Sequence, residues 1–99
     1  HVVRYAVSLV RASRPGADNP YEAAKKIQWG AGPRASQSLI LAAKAKAALA
    51  GRYAASTEDV KSVASAVLGH RVVVNFDAAS EGVGAIAVVD ELLSQVSAQ

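Results

Sequence analysis

Between Thr57 and Gly69, the residues Val60, Val63, Ala64, Val67 and Leu68 recur at i, i+3, i+4, i+7 and i+8. That spacing follows the turn of an α-helix, and in a strand it would scatter the same side chains over both faces. Similar stripes occur elsewhere. Val2, Val3, Ala6, Leu9 and Val10 mark a helix over 2–13, with Arg4, Ser8 and Arg11 turned away. Ser36, Leu39, Ile40, Ala43 and Ala47 mark another over 34–50, with Gln37, Lys44 and Lys46 outward. Ile86, Val89, Leu92, Leu93 and Val96 mark a last one, with Asp90, Glu91, Ser94 and Gln95 on its outer side. The apolar fraction is 52%, but much of it is alanine and only five residues are aromatic, which suits close-packed helices better than a β-sandwich.

The breaks agree with the stripes. Arg14-Pro15-Gly16 stops the first helix, because proline removes a donor and forces the preceding residue out of the α region. Residues 14–20 then read as loop. Glu22 to Lys26 suits a short helix and Ile27-Gln28-Trp29 an extended segment. Gly30-Ala31-Gly32-Pro33 is the next break, with Pro33 opening the second helix. Gly51 closes it from the C′ position, and Ser56 or Thr57 caps the third, whose early Glu58 and Asp59 suit the positive end of the helix dipole. Val72, Val73 and Val74 favour a short strand able to pair with residues 27–29. Residues 77–84 read as loop. The expectation is one all-α domain over residues 1–99: a small bundle of about four main helices with one short strand pair at most.

Several function classes fall away. The chain has no cysteine, and its two histidines, His1 and His70, have no partner at metal-ligand spacing, so no metal site is expected. His70 suits a helix end. No apolar run approaches a membrane span. No serine, histidine and aspartate suggest a triad, and no catalytic residue is assigned. Gly30-Ala31-Gly32-Pro33-Arg34-Ala35 and Gly82-Val83-Gly84-Ala85-Ile86-Ala87 both spell G-x-G-x-x-A. The second leaves too little chain for a βαβ unit; the first has proline in its loop and helices after it, so neither is a dinucleotide site. No glycine is followed by Lys-Ser or Lys-Thr, so there is no phosphate-binding P-loop and no ATPase in this chain alone. Trp29 and Tyr53 are expected to anchor the core edge. His1 in place of methionine suggests a fragment.

Charge is uneven: residues 1–52 carry nine basic and two acidic side chains, residues 53–99 two basic and six acidic. One reading is a basic module that binds nucleic acid through Lys25, Lys26, Arg34, Lys44 and Lys46 on one face; another is a plain protein-interaction bundle. Arg34 points elsewhere. It stands at the start of a helix behind a glycine-rich bend, where free N–H groups, the dipole and a forked guanidinium all favour an anion. Taken singly, an arginine in that position is more often a solvated side chain.

The order of segments is more specific. Trp29 to Ser36, Leu39 to Ala45, Gly51-Arg52-Tyr53, Thr57 to Val60 and Val67 to Arg71, with Leu9 to Arg14 and Pro15 to Pro20 upstream, resemble the C-terminal lid of MoxR-family AAA+ ATPases over nearly the whole chain. In that family the Gly-x-x-Pro-Arg-Ala segment carries the sensor 2 arginine, which falls here on Arg34. Family members often have serine where this chain has Gly32, so a candidate capping hydroxyl is missing while the arginine is kept. The resemblance implies a cytoplasmic, ring-forming parent with chaperone-like roles. ATP and magnesium would sit on a separate large domain, and the partners would be that domain and neighbouring subunits. It makes nucleic acid an unexpected partner, names no client, and leaves Arg14 and Arg71 without an assigned role.

Overall fold

The computed structural model describes residues 1–96. Four main helices carry the core: α1 (Val2–Ala12), α2 (Ala35–Leu49), α3 (Thr57–Leu68) and α5 (Ala85–Gln95). A 3-10 turn (Glu22–Lys26) and strand β1 (Ile27–Trp29) follow α1, and strand β2 (Val73–Val74) and a short α4 (Phe76–Ser80) precede α5. β1 and β2 pair antiparallel, Ile27 opposite Val74 and Trp29 opposite Val73, with an irregularity between. The helical bundle and its single strand pair are as the sequence predicts.

The core forms where the helical stripes meet. Leu39 and Ala43 of α2 bury against Val60, Ala64 and Leu68 of α3, while Tyr5, Leu9 and Val10 of α1 and Val88, Val89 and Leu92 of α5 close the cluster. The most extensive helix contact is α2 with α3. Buried alanines at 35, 43 and 47 present little bulk there, so the larger Leu39 and Leu68 can fill the remaining space. Each such leucine contributes roughly 1.5–3 kcal/mol by leaving water.

Local chemistry sets the helix ends. In α3, Ser56 Oγ accepts from the Asp59 N–H (3.3 Å) while Asp59 Oδ2 accepts from the Ser56 N–H (2.8 Å), a reciprocal capping box. Gly51 ends α2 at φ +77°, with Arg52 N–H donating to Ala47 O (2.8 Å) and Gly51 N–H to Ala48 O (3.0 Å). Gly82 (φ +80°) closes α4 in the same way, through Val83 N–H to Ala78 O (2.9 Å). The second G-x-G pattern is therefore a helix stop followed by the start of α5.

The differences from the sequence reading have physical causes. Residues 77–84 are not all loop, because Asn75 Oδ1 accepts from the Ala78 N–H (2.9 Å) and starts α4. The same side chain donates through Nδ2 to Lys25 O (2.7 Å), tying α4 to the 3-10 turn. The α1 stripe is centred on Tyr5 and Leu9, which leaves Val3 57% exposed. On α5, Val88 takes the buried place and Ile86 lies at the rim. Trp29 is 65% exposed and Tyr53 fully so, hence neither anchors the core edge. The second helix begins at Ala35, with Pro33 and Arg34 in the turn before it.

Candidate functional site

The bend that carries Arg34 is seated on the end of α1. Ser13, completely buried, donates from Oγ to Val10 O (2.6 Å) and accepts from the Ala31 N–H (3.1 Å). Arg14 Nε donates to the Ala31 carbonyl (3.2 Å). Both backbone polar groups of buried Ala31 are thus satisfied by two consecutive residues of the α1 terminus. Gly30 makes this approach possible: a Cβ there would lie 2.5 Å from Ser13 O and 2.7 Å from Arg14 Cα. Asn19 locks the α1 end from the other side, donating to Ala12 O (2.7 Å) and Arg14 O (2.8 Å) and accepting from the Tyr21 N–H (3.0 Å).

Beyond Ala31 the chain emerges at Gly32, Pro33 and Arg34. The Ala35 N–H closes a turn onto Gly32 O (3.1 Å), and Ser38 N–H makes a helical bond to Arg34 O (3.1 Å). Arg34 is therefore the N-cap residue of α2, one step earlier than the first-turn position expected from sequence, and residue 32 lies two positions before the cap. No side chain caps α2 and its first turn holds no acidic residue. Ser36 Oγ turns back to Pro33 O (3.2 Å). The partial positive charge of the helix end is left uncompensated by side chains.

Arg34 itself is exposed, and among the described residues it makes no ion pair and no side-chain hydrogen bond. Other arginines are engaged. Arg52 holds Asp59 through two short bonds, and Arg71 donates to Val67 O (2.8 Å) and Ser38 Oγ (3.3 Å), bracing α3 on α2. Arg14 is occupied with Ala31. The donor set at the bend, N–H groups and a guanidinium with no carboxylate, fits a phosphate oxygen and does not fit a metal ion. Among the described residues no three His, Asp or Glu side chains gather as a metal site.

The basic face suggested by the sequence is partly neutralised. Lys25 pairs with Glu22 (3.0 Å) and Lys26 with Glu91 (2.7 Å), while Lys44 and Lys46 lie toward the other end of α2 from Arg34. No described helix is long and apolar enough to cross a membrane. Sequence reasoning missed Ser13 and Asn19, whose partners are set by the packing of the bend and loop against α1. It also missed the full role of Asp59, for which Ser56-x-x-Asp59 was an available capping-box signal.

Residues 20–92 match the AAA lid domain family. Chaperone MoxR1 of Mycobacterium tuberculosis is 33% identical over 97% of this chain and 26% of its own length. Protein MoxR of Paracoccus denitrificans is 38% identical over 70% of this chain and 22% of its own. A crystal structure from Cytophaga hutchinsonii, provisionally named an ATPase, superposes with a TM-score of 0.89 at 34% identity, covering 99% of this chain and 30% of the other. The chain belongs to the AAA lid domain family and is a lid of the MoxR type of AAA+ ATPase. It spans about a quarter of the length of these curated relatives.

Proposed function

We propose that this lid supplies Arg34 as a sensor 2 arginine to ATP bound on a large AAA+ domain, and couples nucleotide state to the shape of a ring of subunits in a chaperone-like machine. The observation that carries this reading is the free Arg34 guanidinium at the uncapped start of α2, on a bend clamped to α1. The bend holds the backbone that leads to Arg34, and the guanidinium, with no protein partner among the described residues, is available to meet charge on the transferring phosphoryl group. Phosphate binding by a P-loop, magnesium and the chemical step would belong to the large domain, and the lid would act by positioning and charge neutralisation. The MoxR1 relative is named a chaperone, which supports that role for the whole protein. Engagement of Lys25 and Lys26 with carboxylates weighs against a nucleic-acid surface.

The test is ATP turnover of the full-length protein. Loss of one preorganised donor typically costs about 10²–10³, and a residue that also helps close a lid can cost less, so Arg34→Ala is expected to lower turnover roughly ten-fold or more. Arg34→Lys should recover only part, because a point charge lacks the fork. Lys44→Ala, on the same helix but away from the bend, should leave turnover unchanged. Equal turnover for wild type and Arg34→Ala at saturating ATP would remove the assigned role.

A further inference from the structure

We infer that Ser13 is a positioning residue for Arg34, so that the end of α1 sets where the guanidinium stands. The inference rests on the reading of Arg34 as a nucleotide contact. Only Gly32 and Pro33 lie between Ala31 and Arg34, and the turn from Ala35 N–H to Gly32 O is their local backbone restraint. What ties the upstream end of that short arm to α1 is Ala31, held by Ser13 Oγ and Arg14 Nε, while its other end runs into α2 at buried Ala35. Ser13 is the buried half of this clamp. Its hydroxyl is used as donor and acceptor at once, to Val10 O and from Ala31 N–H, in a fully buried position where such bonds are strong. At Gly30 there is no room for a Cβ beside the Ser13 carbonyl, so the bend lies directly on the end of α1. Asn19 donates to Ala12 O and Arg14 O, so the end of α1 that holds Ala31 is itself fixed. A shift at the end of α1 therefore moves the backbone that leads to Arg34, and a misplaced contact loses part of what that residue supplies.

Removing the Ser13 hydroxyl leaves the Ala31 N–H buried and unpaired, which the bend can relieve only by moving away. The effect must then appear through Arg34. The experiment is steady-state ATP turnover of the full-length protein as wild type, Ser13→Ala, Ser13→Thr, Arg34→Ala and the Ser13→Ala/Arg34→Ala double variant. Ser13→Ala is expected to lower kcat by roughly three- to ten-fold with KM little changed, the pattern of a contact made mainly in the transition state. Ser13→Thr, which keeps the oxygen but adds a methyl group at a fully buried position, should recover part of the loss. In the Arg34→Ala background Ser13→Ala should cost nothing further, since the residue through which it acts is gone.

An unchanged kcat in Ser13→Ala, or the same fold loss with and without Arg34, would overturn the inference and leave Ser13 as a structural hydroxyl. Arg34→Ala with wild-type turnover would instead overturn the Arg34 reading itself, and the two failures are distinct. Should Ser13→Ala not fold, Arg14→Lys provides the second route: it keeps the charge but loses the Nε–H that meets Ala31 O. It should show the same non-additivity with Arg34→Ala, and a full additive loss would count against the clamp.

Discussion

Arg52 and Asp59 meet in a two-pronged ion pair, Nη1 to Oδ2 at 2.7 Å and Nη2 to Oδ1 at 2.6 Å, across the entrance to α3. The same carboxylate accepts from the Ser56 N–H and hydroxyl, so one buried side chain both caps α3 and pins the loop that leaves α2. The Arg52 bonds, then the Ser56 backbone bond, hold the Asp59 carboxyl at about 2, below its ordinary value of 3.8, although burial opposes this. A depressed folded pKa contributes stability that is present above the unfolded value and is lost as pH falls through the folded one. Thermal melts should accordingly show a loss between about pH 4 and pH 2. Asp59→Asn should be less stable at neutral pH, with a flatter acid limb. An acid limb unchanged by Asp59→Asn would assign the effect to other carboxylates. Ser56→Ala should cost about 1 kcal/mol by removing the other half of the box.

Gly30 faces main-chain atoms that cannot turn aside: a methyl group at this position would stand 2.5 Å from Ser13 O and 2.7 Å from Arg14 Cα. Gly30→Ala should therefore lower stability by about 1–3 kcal/mol, the usual cost of overpacking. Urea unfolding measures it, and an unchanged midpoint would mean that the bend does not sit on α1 as described.

The Tyr5 hydroxyl is buried and has no hydrogen-bond partner among the described residues. Burial first, and the charge of Glu58 second, raise its pKa above 10.0. Tyr5→Phe keeps the ring and removes the orphan group, so it should leave stability unchanged or raise it by about 1 kcal/mol. The sign in alkali also follows. A raised folded pKa gives stability that is full below the unfolded value and lost as pH rises beyond it, so wild type should weaken above about pH 10 more steeply than Tyr5→Phe. A clear loss of stability in Tyr5→Phe at neutral pH would reveal a partner for the hydroxyl.

If ATP is held by a large domain, as proposed, the 99-residue lid by itself should bind it at best feebly. Amide shifts followed during an ATP titration test this. Saturable binding at about micromolar ATP, a free energy near −8 kcal/mol, would require a site within the lid beyond Arg34.

The four main helices and most of their ends were legible in the residues themselves, and α4 was not. The stripe from Val60 to Leu68, the stop at Gly51 and the extended valines of β2 rest on backbone geometry, short-range bonds and β-branching, which act within a few residues of where they are written. The pairing of β2 with β1, in contrast, needs the fold to bring them together. A helix start near Arg34 was also legible, since a Gly-Pro-Arg bend before an apolar period marks one, but its place as N-cap rather than first-turn residue was not. Tertiary structure decided the rest. Tyr5 is buried and Val3 exposed because α1 turns its Tyr5–Leu9 row, and not Val3, toward the core it shares with α2, α3 and α5. Trp29 and Tyr53 stand in water because apolar character alone does not say which surfaces will find a partner. The Ser13–Ala31 bond joins residues eighteen apart, across a loop whose course no local preference dictates. It exists because the end of α1 and the bend are brought together by the packing of whole helices, and a hydrogen bond of that range is a consequence of the fold rather than a signal within the sequence.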